Sequence, residues 1–312
     1  MKEMNKSQDN QELMLKATWY YYANKMTQQK IAEALGISRM KVVRLLDKAE
    51  QEGIIQFKIN SNYMTTLNYG ETLKNRYNLD EVCIAPSLPN ASQDNINDNI
   101  AAAAANYLAP RLPKDCFINL GYGSTPIKTA CEITKISDEK LNLVSLTGGV
   151  SIYLLATHSN IAEGNLYLIP APLIASTKEL VTAIKKEQSV KDIEKMQIAA
   201  KYTILGIGGV DNNATITKNN LVSASDLNIL KTKGAVGDIV SHFIDENGNI
   251  ISNEFEDTLI SVSMEKISSF NNVVAVAAGP HKLMSIRAAL RKGLIDVLVT
   301  DEDTAKWLCE NQ

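Results

Sequence analysis

The stretch from Thr27 to Gly53, TQQKIAEALGISRMKVVRLLDKAEQEG, constrains the chain more than any other. It spaces two amphipathic helices around one glycine. Thr27 is placed to cap a short helix reaching about Leu35. Ser38 is placed to cap a longer one reaching about Glu52, because such side chains accept hydrogen bonds from the first unpaired backbone N–H groups. Gly36 falls between them, where the backbone must turn at positive φ, a region that glycine enters without a Cβ clash. Val42, Leu45, Leu46 and Ala49 share one face of the second helix, while Met40, Lys41, Arg44, Asp47 and Lys48 occupy the other. Small Ala32 lets the helices cross closely, and Val42 plugs the angle between them. The competing reading is a helical hairpin that never meets DNA. The alanine, the glycine and the valine together, each with its own steric reason, favour a helix-turn-helix.

A recognition helix starting at Arg39 brings Ser38, Arg39, Met40, Lys41 and Arg44 to the major groove of double-stranded DNA. Thr27 and Gln28, at the start of the preceding helix, complete the candidate interface. Arg39 and Arg44 suit guanine O6 and N7, and Lys41 and Lys48 suit phosphate. Charge agrees with this assignment. Residues 1–60 hold 10 Lys and Arg against 7 Asp and Glu, a formal +3, and the remaining 252 residues hold 22 against 28, a formal −6. An excess of three positive charges is modest for phosphate contact, so a homo-oligomer, dimer or tetramer, is expected to supply avidity.

Upstream, Glu12 to Asn24 predicts a helix with Leu13, Ala17, Tyr20 and Tyr21 inward, completing a three-helix core. Downstream, IIQFKI (54–59) alternates apolar and polar residues and predicts a wing strand. SNYMTT (61–66) is polar and short and reads as a linker. The expected division is therefore 1–60, a winged helix-turn-helix, and 61–312, a second domain. In that domain short apolar runs alternate with helical stretches. The expected strands are VCIA (82–85), CFINL (116–120), LVSL (143–146), LYLI (166–169), YTILGI (202–207), VVAVAA (273–278) and DVLVT (296–300). Such alternation predicts a mostly parallel sheet with helices on both faces, a Rossmann-like α/β layer.

Open sheets of this kind bind ligands beyond the carboxyl ends of their strands. CFINL leads into GYGST (Gly121, Tyr122, Gly123, Ser124, Thr125) and then a helix. Glycines let a ligand approach the backbone, the helix start favours an anion, and two hydroxyls add donors. These features suit a sugar phosphate; the alternative is a purely structural turn. No P-loop motif is present, and Pro126 stands where a dinucleotide fingerprint needs its third glycine, so no cofactor is expected. Other strand ends contribute Thr147 (in LTGG), Pro172 (in IPAPL), Asp238 (in GAVGD) and Lys282 (in AAGPHK). Asp238 is a hydroxyl acceptor for a polyol, and Lys282 a point charge for phosphate. Four cysteines without CxxC spacing and three scattered histidines predict reduced thiols and no metal site. The polar start and the lack of a long apolar run predict a cytoplasmic protein with no membrane span.

Taken together, these motifs resemble a known family. MTQQKIAEALGISRMKVVRLLDKAEQEGII is similar to the N-terminal domain of the SorC family of sugar-responsive transcriptional regulators. GYGST, LTGGV, IPAPL, GAVGD, AAGPHK and LVTDEDTA resemble its effector domain, in order, over about residues 12–310. WYYY, GIIQFKINS, IPAPLIAS, VKD and KGAVGDI are most similar to the branch that answers to phosphorylated autoinducer-2. The resemblance implies a phosphosugar-isomerase-like effector domain, a tetramer, and a phosphorylated sugar or polyol that changes operator affinity. By the same resemblance the GYGST loop and Lys282 would hold the phosphate, and Asp238 a hydroxyl. Pro280-His281 and Ser124-Thr125 stand at positions where members vary.

The leading functional reading is thus an effector-released regulator, a repressor, with no catalytic residues. Its competitor is a sugar-phosphate isomerase or deaminase fused to a DNA-binding domain, since GYGST also resembles the phosphate loop of ribose-5-phosphate isomerase. That chemistry needs an acid/base pair, and Asp238 lacks a convincing carboxylate partner. His281 is the one histidine at a comparable rim position.

Overall fold

The computed structural model describes residues 11–24, 26–55, 61–137, 139–150, 153, 164–211, 214–219 and 221–311. The chain divides into two compact units, residues 1–64 and 65–312.

In the smaller unit α1 (residues 11–18) runs into a π-helical turn, Trp19–Ala23, instead of continuing as an α-helix. It is followed by α2 (Gln28–Leu35) and α3 (Arg39–Gln51). Thr27 caps α2 by accepting from Lys30 N at 3.3 Å, and Ser38 caps α3 by accepting from Lys41 N at 3.2 Å. Gly36 sits at φ 64°, ψ 33°, and its N–H donates to the Ala32 and Glu33 carbonyls. The core is Met14, Ala17, Ile31, Ala32, Val42, Leu45, Leu46 and Ala49, with Tyr20, Tyr21 and Tyr22 leaning on it. The expected wing lies outside the described residues from position 56 onward; Ile54 and Ile55 form a bend, not a strand.

The run SNYMTT is not a linker but the beginning of α4 (Ser61–Tyr77). It holds no proline or glycine to stop a helix, and packing of the later turns propagates helix through it. Leu73 is fully buried. The Arg76 guanidinium donates to the Leu308 and Cys309 carbonyls at 2.6 and 3.0 Å.

The larger unit is built on a seven-stranded parallel sheet. Its strands are β1 (Glu81–Ala85), β2 (Phe117–Leu120), β3 (Asn142–Ser145), β4 (Asn165–Tyr167), β5 (Tyr202–Leu205), β9 (Val273–Val276) and β10 (Val297–Asp301). They lie in the order β1-β10-β9-β5-β2-β3-β4. Side chains alternate between the two faces. Val297 and Val299 face α5 (Gln93–Leu108) and α6 (Ser124–Ile136), while Leu298 faces α4 and two C-terminal helices. Those two helices are Leu283–Arg291 and Glu302–Glu310. A small antiparallel sheet that the periodicity did not announce joins β6 (Ile207–Gly209), β7 (Gly237–Ile239) and β8 (His242–Ile244).

The strand order fixes where a ligand can sit. From β2 the chain moves outward to β3 and β4; from β5, on the other side of β2, it leads toward β9 and β10. The carboxyl ends of β2 and β5 therefore flank the point where the winding reverses, and the crevice opens there.

Candidate functional site

A cavity of about 180 Å³ occupies that crevice. Its floor is the loop from β2 to α6. Gly121 packs under β5, where a Cβ would come within 3.1 Å of the Ile204 carbonyl. Gly123 adopts φ 132°, ψ 160°, a conformation open to glycine, and no side chain caps the helix that it precedes. The start of α6, with Gly123, Ser124 and Thr125, lines the cavity, and its first N–H groups are not taken up by a side-chain cap. Tyr122 is buried. Its hydroxyl accepts from Asn219 Nδ2 at 2.8 Å, and burial pushes its pKa up to about 12. It lines the cavity as a neutral phenol.

Asp238 enters from β7. The pairing of β6 with β7 sets Gly208 directly opposite it, and a Cβ on Gly208 would collide with the Asp238 carboxylate. Oδ2 of Asp238 accepts from Ser241 N at 3.1 Å. That contact closes a hairpin in which Val240 and Ser241 both have positive φ, 44° and 73°. Enclosure raises the Asp238 pKa to about 6; the Ser241 N–H, Lys282 and His242 oppose the rise without cancelling it. Lys282 comes from the turn before the helix Leu283–Arg291. Burial lowers its pKa, and the carboxylates of Asp238 and Asp211 work the other way. The cavity therefore combines an amine and a helix start, which attract an anion, with a carboxylate that accepts hydroxyl groups.

In the smaller unit the side of α3 facing away from the core carries Arg39, Met40, Lys41 and Arg44, all exposed, with Met40 at 63%. Exposure of a large apolar side chain between cations suits base edges and thymine methyl groups. Thr27 and Ser38 cap their helices, yet each hydroxyl keeps its own hydrogen as a donor. Thr27, Gln28 and Arg39 line a shared hollow with Tyr21, Tyr22 and Met26.

The Sugar-bind family model, a sugar-binding domain, matches residues 61–310. The transcriptional regulator LsrR of Enterobacter sp. (strain 638) is 34% identical over 300 residues, 95% of this chain and 92% of the relative. LsrR of Escherichia coli (strain K12) is 34% identical over 299 residues, 95% and 93% of the two chains. The chain belongs to the SorC family of sugar-binding transcriptional regulators. Among solved structures, the full-length sorbitol operon regulator SorC from Klebsiella pneumoniae shares the fold. Its TM-score is 0.67 at 23% identity, over 96% of this chain and 98% of that one.

As a SorC-family regulator the chain acts on transcription and carries a sugar-binding domain. No helix among the described residues is long and apolar enough to cross a membrane. Of the nine cavity residues expected from the sequence, Tyr122, Gly123, Ser124, Thr125, Asp238 and Lys282 line the cavity, and Gly121 supports it from below. Thr147 and Pro172 do not line it. Thr147 is buried and turned inward, its hydroxyl within 3.0 Å of the Tyr153 hydroxyl and donating to the Gly148 carbonyl at 2.9 Å. Pro172 is exposed, and its carbonyl lies so close to Gly148 that a Cβ there would collide with it. Both strand ends lie in close contact with neighbouring backbone or side chains. Sequence reasoning also missed lining residues: Gln93 and Asn97 at the start of α5, Asp211, Lys218 and Asn219. The first two had a usable signal, because α5 follows the carboxyl end of β1 on the same rim of the sheet. Asp211 and Asn219 sit in short connections with no periodicity, and Lys218 ends a four-residue helix, Thr215–Lys218, too short to show one.

Proposed function

We propose that this regulator is a repressor released from its operator by a small phosphorylated sugar or polyol bound in the cavity at the β2/β5 crevice. The observation that carries the reading is the convergence there of an uncapped helix start, Ser124, Thr125, Lys282 and Asp238. A dianionic phosphate matches the first four, and ligand hydroxyls match the last. Phosphorylated autoinducer-2, the effector that the sequence resemblance implies, is the first ligand to test. Residues 1–60 would contact DNA through Thr27, Gln28, Ser38, Arg39, Met40, Lys41 and Arg44. Residues 61–312 would bind effector and hold a dimer or tetramer together.

The relatives are named regulators, which supports a chain without catalytic function. One observation keeps an isomerase-like reading in view: a carboxyl with a pKa near 6 faces the cavity that also receives His281. A turnover assay with sugar phosphates separates the two.

The test of the effector is a thermal-shift series with phosphorylated and dephosphorylated ligand pairs, autoinducer-2 included. At ~100 times its dissociation constant a ligand adds about 2.7 kcal/mol to the native state. Lys282→Ala should leave operator binding intact, raise the effector concentration needed for release, and erase the preference for phosphorylated ligand. Equal binding of dephosphorylated ligand by the wild type would refute the phosphate assignment.

A further inference from the structure

The first two turns of α5 bring two carboxamides, Gln93 and Asn97, to the cavity beside Ser124 at the start of α6. They sit one helical turn apart, so their side chains meet. Asn97 is 5% exposed. Its Oδ1 accepts from Gln93 Nε2 at 3.0 Å, and the same Nε2 donates to the Ala278 carbonyl at 3.0 Å. With its oxygen committed to Gln93, the Asn97 amide has one orientation, and Nδ2 faces Ser124. It donates to Ser124 Oγ across 3.4 Å, the long end of a hydrogen bond.

We propose that Asn97 is a ligand-binding residue of this site, donating an Nδ2 hydrogen to the anionic group of the effector, and that Gln93 is the positioning residue that fixes its orientation. The NH₂ group has two hydrogens. One reaches Ser124 Oγ, whose own hydrogen is thereby turned away from Asn97 and toward the cavity, and the other serves the ligand. A carboxamide held oxygen-in and nitrogen-out presents only donors, so this wall of the cavity selects for acceptors. A phosphate, with acceptor oxygens throughout, satisfies it; a sugar hydroxyl satisfies it only with its lone pairs. The Ala278 anchor of Gln93 adjoins Gly279, where a Cβ would strike the Gln93 amide. Glycine at that position is part of the same arrangement, two residues ahead of His281 and three ahead of Lys282.

This inference rests on the phosphate reading above, and the test keeps their failures apart. Full-length protein is titrated with inorganic phosphate at constant ionic strength, reading thermal shift, and then with a monophosphorylated sugar. Asn97→Asp puts an acceptor where the donor was, with the same shape. It should weaken phosphate about tenfold or more, as the loss of a charge-assisted bond implies. Asn97→Ala should weaken it less, and it covers the case in which the aspartate variant does not fold. Gln93→Glu should also weaken phosphate, because a carboxylate at 93 draws Nδ2 of Asn97 toward itself. If Gln93 acts through Asn97, that loss shrinks in the Asn97→Ala background, whereas direct repulsion of the anion by Glu at 93 would persist there. Phosphate stabilising Asn97→Asp and Asn97→Ala as much as the wild type would overturn the assignment of Asn97 alone. Full persistence of the Gln93→Glu loss in the Asn97→Ala background would overturn the positioning role. A wild type that phosphate and the monophosphorylated sugar both fail to stabilise would remove the phosphate reading, and this one with it.

Discussion

Asp238 offers the sharpest link between the cavity and stability. Its carboxyl is pushed up to about 6 from an ordinary 3.8, chiefly by enclosure. A carboxyl whose native pKa exceeds its unfolded value holds more protons folded than unfolded between the two values. Stability therefore falls as pH rises from about 4 to about 6, and the loss is complete above that window. The gap corresponds to ~3 kcal/mol at most. Two effects reduce it: the cavity admits water, and Lys282 loses a favourable neighbour when Asp238 is neutralised. Asp238→Asn keeps the shape and leaves an oxygen to accept from Ser241 N. We expect it to gain about 1–2 kcal/mol near pH 7.5, and less near pH 5, because the wild type is then partly protonated. The assay is urea denaturation followed by Trp307 fluorescence in a Trp19→Phe background, since Trp307 lies in the larger unit and Trp19 is 64% exposed in the smaller. The same variant should bind a phosphorylated polyol more weakly. An Asn variant whose stability runs parallel to the wild type across that pH range would refute the reasoning, because the carboxyl would then carry no native-state penalty.

Two further outcomes are expected. Arg39→Ala and Arg44→Ala should each weaken operator binding by ~1–3 kcal/mol where the lost contact is bidentate to guanine, with the fold preserved; a gel-shift titration unchanged in both would contradict the docking face. Light scattering of the full chain at micromolar concentration should give a dimer or tetramer, because one module with a formal charge of +3 makes few phosphate contacts; a strict monomer would count against it.

The elements legible in the sequence were those with a strong period or a strong cap. All seven parallel strands overlap the expected apolar runs, although YTILGI ends as a strand at Leu205 and its last residue opens β6. The five inner strands, covered on both faces, have no polar side to interrupt the run, while the edge strands β1 and β4 are only partly buried. Thr27, Gly36 and Ser38 were readable because capping and positive φ demand particular residue types. The small antiparallel sheet was not readable: its strands have three residues each, two of β6's three are glycine, and its register is fixed by contacts with distant elements. Within the cavity, the loop and Lys282 could be named from glycine placement and charge. Thr147 and Pro172 show the limit of that rule. A glycine-rich strand end can mean a ligand, or it can mean another backbone passing close by, and at Gly148 it means the second. Only the approach of the 171–172 carbonyls tells them apart, and that contact spans two separate connections.

The glycines that do serve the cavity differ from Gly148 in what they approach. Gly208 makes room for the Asp238 carboxylate, and Gly237, beside Asp238, packs so closely on Ser285 that a Cβ would overlap its side chain. Together they let β7 carry a carboxylate into an enclosed space at the cost of a raised pKa. The hairpin after it places Val240 at φ 44°, a conformation costly for a β-branched residue. The Ser261 hydroxyl donates to the Val240 carbonyl at 2.8 Å and helps hold that turn, and the turn supplies the Ser241 N–H to Asp238. Packing alone does not require a strained turn, an enclosed carboxylate and a half-buried lysine to meet at one strand reversal. Under the proposed reading, their coincidence places the expensive features of the fold where a bound polar, charged ligand would offset them.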